Sequence, residues 1–460
     1  MKKEKEILLG FYGDDFTGSS DVIEVLSLMG IPTILFLKAP TKDEVANFNF
    51  QYFDSGQSDY IAYGIAGVAR SLGPAAMAAE LDPIFKQMQE IPSRYIHYKI
   101  CSTLDSSPEI GNIGVAMRVA EKYFPGKFIP LILGFPYLNR FVAFGHLFAK
   151  IGTVTYRLDR HPVMARHPTT PMNESDVRLH LSKQMERQME LVDLLQIGEL
   201  PNLSLGQICP KQHEKNEFGA PLILFDTTDN GHLLPIGSWL DKHSRIRHQL
   251  LLGSSAMEYA LGKIYGAEKA LSRPTVAITP TLVVAGSCAQ STADQILHAE
   301  KLGFKLIRMN VAELFDEESR VNEVNRVVRL GLDALSGDQN TIIYSALGPE
   351  DEQVKSTLSS SIAKSQPTQI AASQAEITRK IIDLFPLKRL VTAGGDTSGY
   401  ILKSLDIEAL EFVNVLAPGA PLCLAHGKNP KTAGMEIAIK GGQNGTVRYF
   451  EFAQQGGMIA

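Results

Sequence analysis

Ile7-Leu8-Leu9-Gly10-Phe11-Tyr12-Gly13-Asp14-Asp15-Phe16-Thr17-Gly18-Ser19-Ser20-Asp21 is the stretch whose pattern sets the fold class. An apolar run of strand length breaks into a glycine, two carboxylates and several hydroxyl-bearing residues. Val22-Ile23, Val25-Leu26 and Leu28-Met29 then recur at helical spacing as far as Gly30. Ile31 to Leu37 is apolar again and reads as the next strand. Strand, helix and strand in that order predict a βαβ unit, and hence a parallel sheet. Such sheets place ligand-binding groups at the C-terminal ends of their strands, where Asp14 and Asp15 fall. Two adjacent carboxylates can coordinate Mg²⁺, orient hydroxyls or accept a proton. One of them can equally cap the helix, although a single cap does not need two carboxylates.

The same grammar repeats outward from this unit. Tyr60 to Ala66 reads as a strand and Gly73 to Met88 as a helix. Tyr95 to Ile100 alternates as a strand and ends in Cys101-Ser102-Thr103-Leu104-Asp105-Ser106-Ser107; a helix follows from Gly111-Asn112-Ile113-Gly114 to Ala120. A loop rich in hydroxyls and flanked by a lysine suits a polyhydroxylated acid. Lys99 would pair with its carboxylate, and Ser102 and Asp105 with its hydroxyls. The same residue types also make plain capping loops. Leu131 to Phe135 reads as a strand with Arg140 just beyond it, and a guanidinium fork there suits a carboxylate or a transferring phosphate. His146 and His167 read as packed histidines. Residues 175–200 are helical in pattern, with Val192, Leu194 and Leu195 as the expected buried stripe. Leu222 to Phe225 and Leu250 to Leu252 are further strands, ending at Asp226 and at Gly253-Ser254-Ser255.

Residues 267–280 carry Lys269, Ser272, Arg273, Pro274 and Pro280 and read as a boundary, giving domains of 1–266 and 281–460. Beyond it, Thr281 to Ala285 is a strand that breaks into Gly286-Ser287-Cys288. Leu390-Val391-Thr392-Ala393 breaks into Gly394-Gly395-Asp396-Thr397-Ser398-Gly399, and Ile437-Ala438-Ile439-Lys440 into Gly441-Gly442-Gln443-Asn444-Gly445. Glycine turns that feed helix N-termini bring backbone N–H groups close to a ligand and favour negative charge, so they suit phosphate. Gly286, Ser287, Gly394, Gly395, Asp396, Thr397, Gly441 and Gly442 are therefore the nucleotide-binding candidates. Cys288 has no neighbouring base in sequence and reads as a small buried residue. A Walker A motif is missing, because each Gly-Lys pair is followed by Phe128, Ile264 or Asn429.

Bulk properties narrow the class. A chain of 460 residues exceeds one ordinary core, and 44% hydrophobic with 21% charged residues is a globular composition. A net charge of -5 argues against nucleic acid. No tract is apolar enough over sufficient length to span a bilayer, and the charged N-terminus lacks a signal-type apolar core, so a cytoplasmic location is expected. Cys101, Cys209, Cys288 and Cys423 lack CxxC spacing and read as reduced thiols. No HExxH or clustered His/Cys pattern occurs, so no protein-built metal cage is expected, and metal ligands are unassigned.

Several motifs together resemble the four-carbon acid sugar kinase family. They are Asp14-Asp15-Phe16-Thr17-Gly18, Lys99 to Ser106, Gly111 to Gly114, Gly134-Phe135-Pro136 with Arg140, and Pro168-Thr169-Thr170-Pro171. In the second half they continue with Gly286-Ser287-Cys288 plus Thr292 and Gln295, Gly394 to Thr397, the Pro418-Gly419-Ala420-Pro421 turn and Lys440-Gly441-Gly442. The resemblance implies an α/β protein of two α/β domains with mostly parallel sheets and an interdomain cleft. It implies a sugar acid in the first domain, ATP with Mg²⁺ in the second, and phosphorylation of threonate, erythronate or 3-oxo-tetronate. Asp15 and Asp396 are the catalytic candidates; Asp14, Lys99, Ser102, Asp105 and Arg140 are the substrate-binding ones. Gln443-Asn444 departs from the phenylalanine-glycine that many members carry, and Asn444 could replace glycine if it takes positive φ. The composition permits a homodimer. Two other functions remain open: a non-catalytic sensor of acid and nucleotide, and an NAD-dependent dehydrogenase, for which no G-x-G-x-x-G turn is found.

Overall fold

The computed structural model describes residues 5–50, 58–167, 169–210, 219–244, 246–267, 273–359, 366 and 368–458. Pro168, Lys269 and Ser272 lie outside the described residues. The chain divides into two compact units, Met1–Leu271 and Ser272–Ala460.

The strands of the first unit are β1 (Glu6–Gly13), β2 (Thr33–Phe36), β3 (Tyr60–Ala66), β4 (Ser93–Lys99), β5 (Ile129–Ile132), β6 (Arg140–Ala143), β7 (His146–Ile151), β8 (Val154–Arg157), β9 (Met189–Val192), β10 (Leu222–Phe225) and β11 (Gln249–Gly253). The main sheet of this unit runs β2-β3-β1-β4-β11-β5-β10-β9. All of these pairings are parallel. β1 is buried from Ile7 to Gly13, as a parallel strand covered on both faces must be, which is why it reads as an unbroken apolar run. Helix Phe16–Leu28 buries Val22, Ile23, Val25 and Leu26 and leads directly to β2, completing the expected βαβ unit.

Strand order decides what surrounds Asp14 and Asp15. From β1 the chain moves to β2 and β3 on one side, then crosses to β4 on the other. The C-terminal end of β1 is therefore a topological switch point, the usual place for a ligand in an open parallel sheet. Gly13 is in register with Ala66 of β3 and with Lys99 of β4, so the loops after all three strands converge.

Three features differ from the sequence reading. Residues 175–200 are not one helical stretch: helix Val177–Ser182 is followed by β9 and then by the single turn Leu194–Ile197. Val192 is buried beside Phe225, but Leu195 is 78% exposed, because a half-buried edge strand replaces the amphipathic helix. The strand expected at Leu131 to Phe135 lies earlier, at β5, and stops ahead of the turn Pro136–Leu138. Arg140 therefore opens β6 rather than following a strand. The antiparallel sheet β6-β7-β8 was not foreseen; its connections contain Gly145 and Gly152, at φ +79° and +58°.

The second unit holds β12 (Leu282–Ala285), β13 (Lys305–Arg308), β14 (Thr341–Tyr344), β15 (Arg389–Ala393), β16 (Ala409–Ala417), β17 (Ala420–His426) and β18 (Glu436–Lys440). Its order is β13-β14-β12-β15-β18-β17-β16, parallel as far as β18 and antiparallel across β18-β17-β16. The expected Pro418-Gly419 turn joins β16 to β17, with Gly419 at φ +71°. Val283, Val391, Val413, Leu422 and Ala438 share one core with Ile296 and Phe450 from the covering helices. β12, β15 and β18 are adjacent, and Ala285, Ala393 and Lys440 are in register, so the three glycine turns emerge side by side. No helix among the described residues is long and apolar enough to cross a membrane.

Candidate functional site

In the first unit the switch point gathers a compact charged cluster. Asp15 is the N-cap of helix Phe16–Leu28, accepting from Gly18 N at 3.1 Å and from Thr17 Oγ1 at 2.9 Å. Asp14 is buried, and its neighbour across the turn after β3 is Arg70. The guanidinium donates to Asp14 through Nε at 3.2 Å and Nη2 at 2.6 Å, and to Asp15 through Nη2 at 2.6 Å. The backbone is laced in the same place, with Arg70 N donating to Asp14 O and Asp14 N to Lys99 O, each at 2.9 Å.

Lys99 is buried, donates from Nζ to Gly18 O at 2.6 Å, and lies 3.2 Å from Asp21 Oδ1. Burial opposes its charge, but Asp21, Asp15 and Asp14 outweigh that and raise its pKa. Burial pushes Asp14 up despite Arg70. Asp15 is the opposite case: burial raises it, yet Arg70 and Lys99 together hold it below the ordinary carboxylate value. Burial moves Asp21 up to about 6, with Lys99 opposing. The two carboxylates that are adjacent in sequence thus differ electrically, and only Asp15 is shifted toward its ionised form.

The hydroxyl-rich loop after β4 is folded on itself. Thr103 Oγ1 donates to Asp105 Oδ1 at 2.9 Å and contacts Cys101 Sγ at 2.8 Å, while Leu104 sits at φ +57°. Ser106 anchors the loop, accepting from Gln184 Nε2 at 2.8 Å and pairing with His180 Nε2 at 3.0 Å. Ser102 is half-buried in the first turn of this loop. Arg140 donates from Nη1 to the Leu138 and Asn139 carbonyls, both at 3.1 Å, and its buried Nε has no acceptor. Burial lowers its pKa, partly offset by Cys101 and Asp105, so this arginine and the β4 loop are electrostatic neighbours. His146 pairs with Ser175 Oγ at 3.0 Å and His167 accepts from Thr170, so both are satisfied internally.

In the second unit the glycines are required by close approach. A Cβ on Gly286 would collide with Thr397 Oγ1 and lie 2.5 Å from Gln374 Oε1; one on Gly442 would collide with Ser287 Oγ. Gly394 has φ +122° and ψ 136°, a conformation essentially reserved for glycine. Gln374 joins two of the turns: its Nε2 donates to Ala285 O at 3.1 Å and its Oε1 accepts from Thr397 Oγ1 at 2.9 Å. Helices Gln290–Lys301 and Gly395–Ser404 both begin beside these turns, and neither N-terminus carries a side-chain cap. Their first amides have no intrahelical acceptor and present partial positive charge. Asp396, in the first turn of the second helix, is exposed.

Two expectations about these turns are corrected. Asn444 does not take positive φ; Gly445 does, at +84°. The Asn444 carboxamide instead donates from Nδ2 to Gly419 O at 3.2 Å, tying the last turn to the β16-β17 hairpin. Cys288 is exposed rather than buried, since it lies in the turn ahead of helix Gln290–Lys301 and not beneath it. Sequence reasoning also missed Arg70, His180 and Gln374, each a lone polar residue in a segment without a motif, and gave no role to Asp21 at the end of the opening stretch. Among the described residues, no three His, Cys, Asp or Glu side chains are grouped as a metal cage.

This arrangement can be set beside known proteins. A family model described as a sugar-binding N-terminal domain matches residues 9–261, and one described as a nucleotide-binding C-terminal domain matches residues 282–450. The chain is 35% identical to a 3-oxo-isoapionate kinase of Paraburkholderia graminis, over 98% of this chain and 94% of that one. It is 25% identical to a 3-oxo-tetronate kinase of Pseudomonas savastanoi pv. phaseolicola, over 96% of each. Among solved structures, a Salmonella typhimurium protein described as a putative tRNA synthase superposes with a TM-score of 0.77 at 21% identity, over 96% of this chain and 98% of that one. A Haemophilus influenzae protein gives 0.71 at 20% identity, over 97% and 99%. At those identities the two structures bear on fold alone.

The two family matches and the full-length relatives make the class of this chain a kinase, an ATP-dependent phosphotransferase acting on a sugar acid. The chain belongs to the four-carbon acid sugar kinase family.

Proposed function

We propose that the chain transfers the γ-phosphoryl group of ATP to a hydroxyl of a short 3-oxo sugar acid of the four-carbon type. The observation that carries the substrate class is identity of 35% across 98% of the chain with a kinase named for 3-oxo-isoapionate. Kinases named for 3-oxo-tetronate align over nearly the same length.

In this reading the acid binds at Asp14, Lys99, Ser102, Asp105 and Arg140. The unpartnered Nε of Arg140 supports a carboxylate there, since a buried guanidinium donor without an acceptor is costly. Lys99 contributes mainly positive potential, because its ammonium is already engaged with Gly18 and Asp21. The nucleotide phosphates bind at Gly286, Ser287, Gly394, Gly395, Asp396, Thr397, Gly441 and Gly442, supported by the two uncapped helix N-termini.

The substrate hydroxyl oxygen forms a bond to the γ-phosphorus as the bond from that phosphorus to the β–γ bridging oxygen breaks, and ADP leaves. The hydroxyl proton passes to a carboxylate, Asp15 or Asp396. Most of the rate comes from positioning and charge stabilisation. Mg²⁺, when bound with the nucleotide, neutralises phosphate charge, and needs only one or two protein carboxylates. Asp396 fits that donor role, being exposed and beside the Gly394 turn. Asp14 and Asp15 fit it poorly, because both already face Arg70.

The test is product formation. Purified protein with ATP and Mg²⁺ should release ADP with a 3-oxo sugar acid in a panel of C3–C6 aldonates and their 3-oxo derivatives. ADP release with the plain aldonates alone would overturn the 3-oxo assignment; release with none of the acids would overturn the whole reading.

A further inference from the structure

Lys440, the last residue of β18, is fully buried. Its ammonium donates to Thr292 Oγ1 at 2.9 Å and to Gly442 O at 3.2 Å, and lies 5.9 Å from the centre of the Tyr449 ring. The Gly442 carbonyl also accepts from Ser291 Oγ at 2.9 Å and Thr292 Oγ1 at 2.7 Å. Three donors from two elements therefore converge on one carbonyl of the last glycine turn. Ser291 and Thr292 belong to the first turn of helix Gln290–Lys301, whose N-terminus has no side-chain cap. Gly442 packs against Ser287 of the neighbouring turn.

The groups facing Lys440 are the Thr292 hydroxyl from that helix, the Gly442 carbonyl from the following turn, and the Tyr449 ring from helix Tyr449–Gln455. Ala393 of β15 lies beside it in register. The Tyr449 hydroxyl is directed to Ala420 O at 3.3 Å. None of these carries a formal charge at neutral pH. Burial alone moves the Lys440 ammonium down to about 7. A lysine buried without a counter-ion is expensive unless an anion arrives to balance it. Here it adjoins an uncapped helix N-terminus and a glycine turn, both of which favour an anion.

We propose that Lys440 is the buried positioning cation of the nucleotide site, holding the Gly441-Gly442 turn and taking up a proton when the nucleotide phosphates bind. It supplies from beneath the turn the positive charge that a Walker lysine supplies elsewhere. The inference rests on the reading of these turns as the phosphate site. Phosphate charge nearby favours the ammonium form, so binding and protonation are linked. Burial favours the neutral amine in the free protein and phosphate favours the ammonium in the bound one, so at pH 8 the complex carries more charge at Lys440 than the free protein.

The experiment is calorimetric titration of the full chain with ADP at pH 8, in two buffers of different ionisation enthalpy. Wild type should take up more protons than Lys440→Met, and Lys440→Met should bind ADP at least tenfold more weakly. Lys440→Arg, which stays charged, should keep affinity within a few-fold of wild type and lose the proton uptake. Equal proton uptake in wild type and Lys440→Met, or unchanged affinity in Lys440→Met, would overturn the role of Lys440. If Lys440→Met does not fold, wild type against Lys440→Arg decides, and equal uptake there overturns it. Failure of wild type to bind ADP would instead remove the nucleotide reading itself.

Discussion

Arg70 and Asp14, 56 positions apart in sequence, share two hydrogen bonds, from Nε at 3.2 Å and from Nη2 at 2.6 Å. The same Nη2 reaches Asp15, so one guanidinium bridges the paired carboxylates at the end of β1. Arg70→Met leaves both carboxylates without the guanidinium that bridges them, and burial then drives Asp14 further toward its neutral form. Removing one partner of a buried pair costs about 3 kcal/mol, which a lower urea midpoint would register. Loss of Asp14 and Asp15 geometry should also reduce kcat/KM by about 100-fold. An unchanged midpoint would mean that water replaces the guanidinium without penalty.

Gly286→Ala places a methyl group against Thr397 Oγ1 and Gln374 Oε1. The turn must shift, and overpacking of this kind costs about 1–3 kcal/mol. The KM for ATP should rise more than the KM for the acid. Adding Thr397→Ala removes the obstructing hydroxyl, so the double variant should be more stable than additivity predicts. Strictly additive thermal shifts would show that the Gly286–Thr397 contact does not limit this position.

Asp396→Asn keeps size and removes charge at an exposed first-turn residue. Stability should change by less than about 1 kcal/mol, the range of one helix-terminus charge. Turnover should fall by about 100-fold or more if the carboxylate takes the proton or holds the metal. Near-normal kcat with saturating Mg²⁺ would exclude both roles.

His180, which anchors the β4 loop through Ser106, is pushed down from 6.5 to about 4, chiefly by burial and then by Lys183. A group whose folded value is depressed contributes stability that is complete above its ordinary value and is lost as pH falls toward the folded one. Between pH 7 and pH 5 this histidine should therefore remove about 2 kcal/mol of stability. His180→Asn should flatten that part of the profile, read as the difference in urea midpoints at the two pH values. Parallel profiles for variant and wild type would show that the histidine is not the titrating group.

Much of the architecture was legible because parallel strands buried on both faces must be continuously apolar. β1, β3, β10 and β12 announce themselves that way, and glycines mark the turns after β12, β15 and β18, singly after β12 and in pairs after the other two. β9 was not legible, since a half-buried edge strand with a charged residue has the same local composition as a surface helix. The β6-β7-β8 sheet was missed for the same reason: short, partly exposed strands carry little periodic signal.

What the amino-acid sequence determined alone was the parallel α/β class, the places where strands end in ligand-type turns, and the polar residues resident in those turns. Which residues from distant segments meet there was decided only by strand order. Arg70 joins Asp14 because β3 and β4 flank β1 at a switch point, and Lys440 meets Thr292 because β18 and β12 flank β15, which brings the helix after β12 beside the end of β18. Local pattern reports burial and backbone conformation, which are short-range properties. Polar pairing across 56 or 148 positions depends on the order in which strands assemble, and no periodicity encodes that.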